Sequence, residues 1–319
     1  MATIRAALVT IAAGAVCIFA DVAAAQAYPS KAIRVVTARP GGGSDLTSRL
    51  IAQGISGPMG QPVIVDNRGG IIQVEIVAQA PPDGYTLLVS ASMWVTPLVQ
   101  KSVSYDPIRD LEPVTLAVSA PNILVVHPSL PAHSVKDLIA LAKARPGELD
   151  YGSGTIGSSS HIAAEKFKTM AGISIRQVPY RSAGPAVTAL MGGETQLMFA
   201  TAASVVPLIK TGRLRALGVS SAKPSALTPG IPTIAASGVP GYEAKTFYAV
   251  FAPAKTPAAI INRLNREIVR FLKRPEVGRK LLGLGVEVEA TSPEEWGAMM
   301  KAEIASMRKI VEAAGVRTN

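Results

Sequence analysis

The stretch IRVVTARPGGGSDL, residues 33–46, decides the class of fold that this sequence predicts. It begins with a run rich in β-branched residues, passes through three consecutive glycines and ends where apolar residues start to recur at helical spacing. A strand that leads through a glycine loop into a helix is the opening of a β-α-β unit. The stretch therefore predicts a parallel sheet covered by helices.

Strand-like and helix-like segments keep alternating after this stretch, which favours an α/β fold throughout. Residues 114–126 and 247–253 are long apolar segments, and each is predicted to pass between two groups of strands. We therefore predict two sheets in two α/β lobes, with residues 28–122 and 250–319 in the first and residues 123–249 in the second. Two connecting strands form a hinge that permits closure on a ligand. The other predicted strands lie at residues 63–65, 86–89, 150–151, 175–178, 197–199 and 217–219.

The N-terminal segment has the pattern of a secretory signal peptide. Arg5 precedes an apolar run at residues 6–20, and small residues follow at 23–25 and 27. A basic start, a short apolar core and an alanine-rich exit predict a signal peptide over residues 1–25, with cleavage at 25–27. The sole cysteine, Cys17, lies inside this segment. We therefore expect an exported protein without disulfides or cysteine-bound metals.

The formal net charge of +10 limits the classes of partner. Nucleic acids, anionic surfaces and anionic solutes all suit a basic protein. Aromatic residues make up only 5% of the chain, and the sequence has no zinc-finger or RNP-like motif, so no nucleic-acid partner is expected. A solvated basic surface and the steering of anionic solutes stay open as explanations.

Two loops that follow predicted strands carry the candidate chemistry. In the first, residues 40–45, glycines let the backbone approach a ligand, and the amides at the helix start favour an anion. The alternative is a turn in which Ser44 or Asp45 only caps the helix. The second loop, residues 151–161, holds five hydroxyl residues and three glycines before another helix. Such a loop can donate many hydrogen bonds to an oxyanion, or can be an ordinary capped turn.

Two enzymatic interpretations of the second loop compete with anion binding. Residues 152–157 read G-x-G-x-x-G, but the strand before them is short and charged, and the next strand offers Arg176 rather than an acid for a ribose. His161 is a candidate base for an exported hydrolase. The sequence contains no G-x-S-x-G, H-E-x-x-H or P-loop lysine motif. We therefore predict a non-enzymatic protein with no catalytic residue, cofactor or metal.

The order of these motifs resembles that of the tripartite tricarboxylate transporter substrate-binding receptors, also called Bug-type receptors. The resemblance covers nearly the whole chain after the signal segment. Its motifs are YPSK at 28–31, PGG at 40–42 with Asp45, GQPV at 60–63 with NR at 67–68, PDGYTLL at 82–88, YDP at 105–107, YGS at 151–153 with GS at 157–158 and His161, VPY at 178–180, GRLRAL at 212–217, PT at 232–233, PGYE at 240–243 and AP at 252–253.

This resemblance implies a periplasmic binding protein of type II, with two α/β lobes, a hinge and a ligand cleft between the lobes. It implies capture of a small organic acid and delivery to the membrane permease subunits of a tripartite transporter by a monomeric receptor. A receptor of the same fold that serves a signalling partner is the alternative. The residues expected to contact the ligand are Ala38, Arg39, Pro40, Gly41, Gly42, Gly43, Ser44, Asp45, Ser90, Ser153, Gly154, Thr155, Gly157, Ser158, Tyr180, Arg181, Ala200 and Thr201.

Three departures from the family pattern bear on which acid is bound. Members usually have Pro-Phe where this chain has Thr37-Ala38, and the glycine-rich segment at Gly69-Gly70 is about three residues shorter. An acidic residue commonly follows the Met-Phe pair where this chain has Ala200. That acid can select a ligand with an amino group. Its absence favours a dicarboxylate or an aromatic carboxylate over an amino acid.

Overall fold

A computed structural model describes residues 28–314, apart from residues 42, 92, 101–102 and 155–157. The predicted signal peptide lies outside the described residues. Strands and helices alternate along the described chain. The strands are β1 (Ile33–Thr37), β2 (Val63–Asn67), β3 (Thr86–Ala91), β4 (Leu111–Val126), β5 (Asp150–Ser153), β6 (Arg176–Pro179), β7 (Leu197–Thr201), β8 (Arg215–Val219), β9 (Lys245–Pro253) and β10 (Glu287–Val288).

The helices connect these strands and cover both faces of the sheet. Most of them follow a parallel strand, as expected for a β-α-β fold. They are α1 (Gly43–Met59), α2 (Ile72–Ala78), α3 (Thr96–Val99), α4 (Val135–Ala144), α5 (Ser159–Ala171), α6 (Ala183–Met191), α7 (Ala202–Lys210), α8 (Ala258–Leu272), α9 (Pro275–Gly283) and α10 (Pro293–Ala314). No helix of the described chain has the length and apolar character of a membrane span.

The sheet is mixed, with strand order β2-β1-β3-β9-β4-β7-β5-β6, and β8 and β10 also pair with β4. β1 pairs in parallel with β2 and β3, and β5 pairs in parallel with β6 and β7. We call these two groups the first half and the second half of the sheet. β9 belongs to the first half, where it runs antiparallel to β3.

Strand β4 joins the two halves. Its residues 111–121 pair with β9 in the first half, and its residues 122–126 pair with β7 and β8 in the second half. The two sheets predicted from the sequence are thus one hydrogen-bonded network, because a single strand serves both. The predicted lobe boundaries at residues 122/123 and 249/250 stay a prediction.

Four buried clusters pack on the two faces of each half. In the first half, Leu50 of α1 and Leu264 of α8 cover one face, and Val77 of α2 and Met300 of α10 cover the other. The second half repeats this arrangement, with α4 and α5 on one face and α6 and α7 on the other. Each half is therefore a layer of sheet between two layers of helix, as in other α/β proteins.

Both tryptophans of the chain lie in one aromatic cluster against strand β9. The rings of Trp94 and Trp296 meet edge to face, with centroids 5.0 Å apart. Phe247 and Phe251, which share a face of β9, lie within 6.5 Å of Trp94 and 6.1 Å of Trp296 by the same measure. This cluster ties α10 and the segment before α3 to the strand that pairs with β4.

Most of the predicted elements are confirmed. The glycine loop follows β1 and leads into α1, residues 114–126 lie within β4, and residues 247–253 lie within β9. Ser134 caps the N-terminus of α4, since its Oγ accepts a hydrogen bond from the Asp137 amide at 3.1 Å. No specific residues were predicted for α3, α7 or β10, and β10 has only two residues.

Leu124→Ala is expected to lower the free energy of unfolding by about 2–5 kcal/mol, because it leaves a cavity in the second half of the sheet. Leu124 lies on β4 and is fully buried. The matched control is Ile64→Ala on the edge strand β2, where the side chain is 56% exposed and a change within about 0.5 kcal/mol is expected. Urea unfolding measures both, and equal losses would contradict the assigned core.

Candidate functional site

The loop between β1 and α1 is called the first glycine loop below, and the carboxylate of Asp45 stabilises its conformation. Asp45 is 5% exposed. One oxygen accepts the Gly41 amide at 3.0 Å, and the other accepts Asn67 Nδ2 at 2.8 Å and pairs with Arg49 Nε at 3.0 Å. Asn67 also donates to the Ala38 carbonyl at 2.6 Å. Burial would raise the pKa of Asp45, but these hydrogen bonds outweigh it and hold the pKa below its usual value. Asp45 therefore shapes the loop as an ionised carboxylate.

Gly43 is required where the loop enters α1. A Cβ atom at this position would lie 2.3 Å from Tyr248 Oη and 2.4 Å from Tyr248 Cζ. Real side chains do not tolerate such contacts, so the backbone of the loop and the phenol of β9 approach each other only because residue 43 is glycine. Gly41, at the other end of the loop, has a positive φ of 89°.

A cleft of about 410 Å³ opens beside this loop. It brings together four of the predicted residues, since Gly41, Gly43 and Asp45 of the first half face Thr201 at the end of β7 in the second half. The two halves meet closely at one wall, where a Cβ on Gly285 would lie 2.8 Å from Ala203 Cβ. The other lining residues are Leu46, Arg49, Ala120, Ala203, Tyr248, Leu284, Gly285 and Val286.

The second loop, residues 151–161, is called the serine-rich loop below, and its described part uses most of its hydroxyls for hydrogen bonds within the loop. Ser160 Oγ accepts the Gly154 amide at 3.0 Å and lies 3.1 Å from Ser158 Oγ. Ser153 is fully buried, and its hydroxyl donates to the Gly154 carbonyl while accepting from Gln177 Nε2 at 2.8 Å. These bonds fold the loop. Ser158 is the N-cap residue of α5, and its side chain makes no capping hydrogen bond to that helix.

The serine-rich loop does not contribute to the described lining of the 410 Å³ cleft. Ser159, where α5 begins, lines a separate cavity of about 20 Å³ with Asn122, Lys166 and Glu303. A cavity of that size has room for about one water molecule. The predicted Gly42, Thr155 and Gly157 lie outside the described residues.

The remaining predicted residues are placed as follows. Arg39 is exposed and reaches across Gly69, where a Cβ would lie 2.7 Å from its Nε. Burial and the nearby Glu194 raise the pKa of Tyr180, so this phenol faces the turn before β7. Arg181 and Pro40 are exposed, whereas Ser90 is 2% exposed and Ala200 is 1% exposed within the core of the second half.

His161 is enclosed at the start of α5, with 3% of its surface exposed. Burial lowers the pKa of its imidazole, and this effect outweighs the negative charge of Glu165, which would raise the pKa. The Tyr151 hydroxyl donates to Glu165, which also pairs with Lys168 Nζ at 2.8 Å. His161 thus stands over a buried polar cluster and presents almost no surface to a substrate.

Three residues beside the loop were not predicted from the sequence to belong to the site, namely Asn67, Arg49 and Tyr248. Asn67 belongs to one of the motifs of the family resemblance, and its side chain would have been a candidate had the pairing of β1 with β2 been known. Arg49 stands one helical turn after Asp45, the spacing of an ion pair. Tyr248 gave no signal, because the register between β9 and its neighbours determines which face its side chain occupies.

Two helix-covered halves of a sheet, joined by a shared strand and separated by a cleft at a glycine loop, define a two-lobed binding protein of the periplasmic type II class. The chain belongs to the tripartite tricarboxylate transporter receptor family. Residues 47–316 match the profile of this family, which is described as the tripartite tricarboxylate transporter family receptor. Members of this family are receptors of periplasmic transporters.

Individual relatives agree with this assignment. The chain is 34% identical over 300 residues to protein BugT of Bordetella pertussis, with 92% of each chain covered. It is similar to Rpa4515 of R. palustris, solved with adipate, at 37% identity and a TM-score of 0.77, covering 91% of this chain and 99% of that one. MatC of Rhodopseudomonas palustris, solved with bound malate, matches at 26% identity and a TM-score of 0.73, covering 89% and 100%.

Gly43→Ala is expected to cost about 1–3 kcal/mol of unfolding free energy, because the new methyl group collides with the Tyr248 ring. Gly57→Ala in the same helix is the matched control. A Cβ on Gly57 meets nothing within 4 Å, so this change should stabilise α1 by about 0.5–1 kcal/mol. Urea unfolding of both variants checks the result, and two changes of the same sign would contradict the contact between Gly43 and Tyr248.

Asp45→Asn is expected to lose about 1–3 kcal/mol of stability at neutral pH, because the hydrogen bonds to the carboxylate are weakened. The lowered pKa of Asp45 means that its contribution is complete above the unfolded pKa of about 3.9 and disappears as the pH falls through the folded pKa. The gap between the wild type and the variant should therefore narrow in acid. Urea unfolding across pH 7 to 3 measures it, and a constant gap would contradict the lowered pKa of Asp45.

Proposed function

We propose that this chain is an exported receptor that captures a small organic carboxylate and delivers it to the membrane permease subunits of a tripartite transporter. The glycine loop at the start of α1, which opens on the 410 Å³ cleft, is the observation that carries the proposal. The family assignment supports the transport role, and the loop supports the class of ligand.

A carboxylate suits this loop for electrostatic reasons. The first amides of α1 have no partner within the helix, and the helix dipole places partial positive charge at the same end. Asp45, which accepts the Gly41 amide, lies in the first turn of α1, and both Asp45 and Gly43 line the cleft. The hydroxyl of Ser44, which is 6% exposed, makes no hydrogen bond within the described chain. The positive net charge of the chain further favours an anionic solute.

The acids found with similar structures indicate the size of the ligand. Rpa4515 was solved with adipate and MatC with malate, and both are dicarboxylates of six carbons or fewer. A cleft of about 410 Å³ is of the size that small-molecule sites have. We therefore favour a dicarboxylate or a small aromatic acid as the ligand of this chain.

An amino acid fits the cleft less well. Asp45 is the sole acid among its described lining residues, and its carboxylate is already engaged by Gly41, Asn67 and Arg49. Position 200 carries alanine, so the end of β7 supplies no negative charge either. A ligand ammonium group would lose its hydration at this wall of the cleft without gaining a counter-charge, which is costly.

The proposal extends to location, assembly and chemistry. Residues 1–25 are proposed to be removed on export, which the mass of the secreted protein would show. The receptor is proposed to act as a monomer. It is also proposed to bind its ligand without turnover, and the burial of His161 supports this over hydrolysis. Incubation with dimethyl adipate tests that point, since any release of methanol would contradict it.

The central experiment compares adipate with 1,6-hexanediol, which has the same chain length but no charge. Adipate is expected to bind, and at 100 times its dissociation constant to add about 2.7 kcal/mol of stability. The diol is expected to leave the midpoint of thermal unfolding unchanged, because the loop amides gain nothing from a neutral end. Calorimetry then gives the affinities for adipate, malate, benzoate and aspartate.

The outcomes separate the possibilities. If the diol binds as well as adipate, recognition of a carboxylate is wrong. If aspartate binds tightest, the preference against amino acids inferred from Asp45 and Ala200 is wrong, while the receptor function stands. If neither these acids nor any acid of a wider set of organic acids binds, the proposed function itself is wrong.

A further inference from the structure

We infer that Tyr248 is a specificity-determining residue, whose hydroxyl donates a hydrogen bond to the carboxylate of the acid held by the first glycine loop. This inference rests on the proposed function, because it names a further contact in the same cleft. Tyr248 was not among the residues that the sequence indicated.

The position of the phenol carries the first step. The contact with Gly43 places Tyr248 Oη against the backbone at the start of α1, where the free amides of the helix lie. The same side chain lines the 410 Å³ cleft together with Gly41 and Thr201. A carboxylate that accepts hydrogen bonds from the first amides of α1 therefore comes within reach of this hydroxyl.

The second step is that the hydroxyl is available. Tyr248 Oη makes no hydrogen bond to any group of the described chain, although the ring is largely buried against the core of the first half. A phenol in such a place normally finds a polar partner, because an unpaired hydroxyl loses the hydrogen bonds it made in water. The cleft side is the direction left for that partner.

Two other predicted hydroxyls, those of Thr201 and Ser90, do not offer the same contact. Thr201 Oγ1 already lies 3.1 Å from Ser204 Oγ. Ser90 pairs with Ala249 while Tyr248 pairs with Ala91, and since side chains alternate along a strand, Ser90 and Tyr248 point to opposite faces of the sheet. Among these three hydroxyls, Tyr248 is the one that is unpaired and faces α1.

The chemical state of the phenol suits an anion. Burial raises the pKa of Tyr248, so the hydroxyl keeps its proton throughout the physiological range. A neutral hydroxyl that donates to a carboxylate forms a charge-assisted hydrogen bond, which is stronger than one between neutral groups. A ligand with an uncharged end gains much less, so the contact discriminates acids from their neutral analogues.

The location on β9 gives the contact a second consequence. β9 pairs with β3 on one side and with β4 on the other, and Tyr248 stands in register with Ala91 and Val118. A ligand bound to Tyr248 thus contacts β9, and β9 pairs with β4, the strand that continues into the second half. Glycine loop and β9 are then held together by the acid as well as by the Gly43 contact.

The test is Tyr248→Phe, which keeps the ring against Gly43 and removes only the oxygen. We expect its affinity for adipate, measured by calorimetry, to fall about tenfold or more, as for other hydrogen bonds to charged groups. The midpoint of thermal unfolding without ligand should stay close to the wild-type value, because the hydroxyl has no partner in the described chain. Tyr85→Phe is the matched control. Tyr85 lies just before β3 and does not line the cleft, and its hydroxyl lies 3.1 Å from Ser30 Oγ. The affinity of the Tyr85→Phe variant for adipate should therefore equal that of the wild type.

Each result decides the inference. Equal affinities of the wild type and Tyr248→Phe would overturn it and leave the proposed function intact, whereas a wild type that binds no acid overturns both. A similar loss in Tyr85→Phe would show a general effect of tyrosine removal and would also overturn it. Should Tyr248→Phe fail to fold, the ultraviolet difference spectrum of the wild type decides. A tyrosine red shift on addition of adipate supports the contact, and its absence overturns it.

Discussion

Strand β4 is hydrogen-bonded on both edges and in both halves of the sheet, and the rest of the molecule is arranged around that pairing. Its 16 residues are almost entirely buried. Along the first part it pairs with β9, and along the last five residues with β7 and β8. Because backbone groups buried in a core must find partners, the strand cannot leave either half without a large cost. This constraint sets the ends of β1 and β7 on opposite sides of one cleft.

The candidate site depends on a second, smaller constraint at the glycine loop. The Asp45 carboxylate accepts hydrogen bonds from Gly41 and Asn67 and forms an ion pair with Arg49. These contacts stabilise a loop that has little side-chain packing of its own. An acid in an anion site looks unfavourable, yet its charge is compensated by Arg49 before a ligand arrives. The loop can therefore be rigid and still present backbone amides to a negative group. Preorganisation of this kind lowers the entropy cost of binding.

The sequence predicted the fold through strong local signals. β-branched runs and the glycine loop after β1 predicted elements that the structure has at nearly the same residues. Short or ambiguous elements were not placed from the sequence. The two residues of β10 are too few for a periodic pattern, and α7 contains Pro207, a residue that is unfavourable inside a helix. At the site, positions in the glycine loop follow from sequence, whereas the roles of Asn67 and Tyr248 do not. Both depend on strand register, which is set by contacts between residues far apart in the chain.

The aromatic cluster on β9 has a consequence for how this protein can be observed. Its two tryptophans share one site, and Trp94 also lines the small cavity that reaches Ser159 and Lys166 of the second half. Tryptophan fluorescence therefore comes from a single place beside the junction of the two halves. Two lysines and two glutamates line the cavity next to it, Lys166, Lys245, Glu243 and Glu303. The protein therefore carries a built-in optical probe of its own junction.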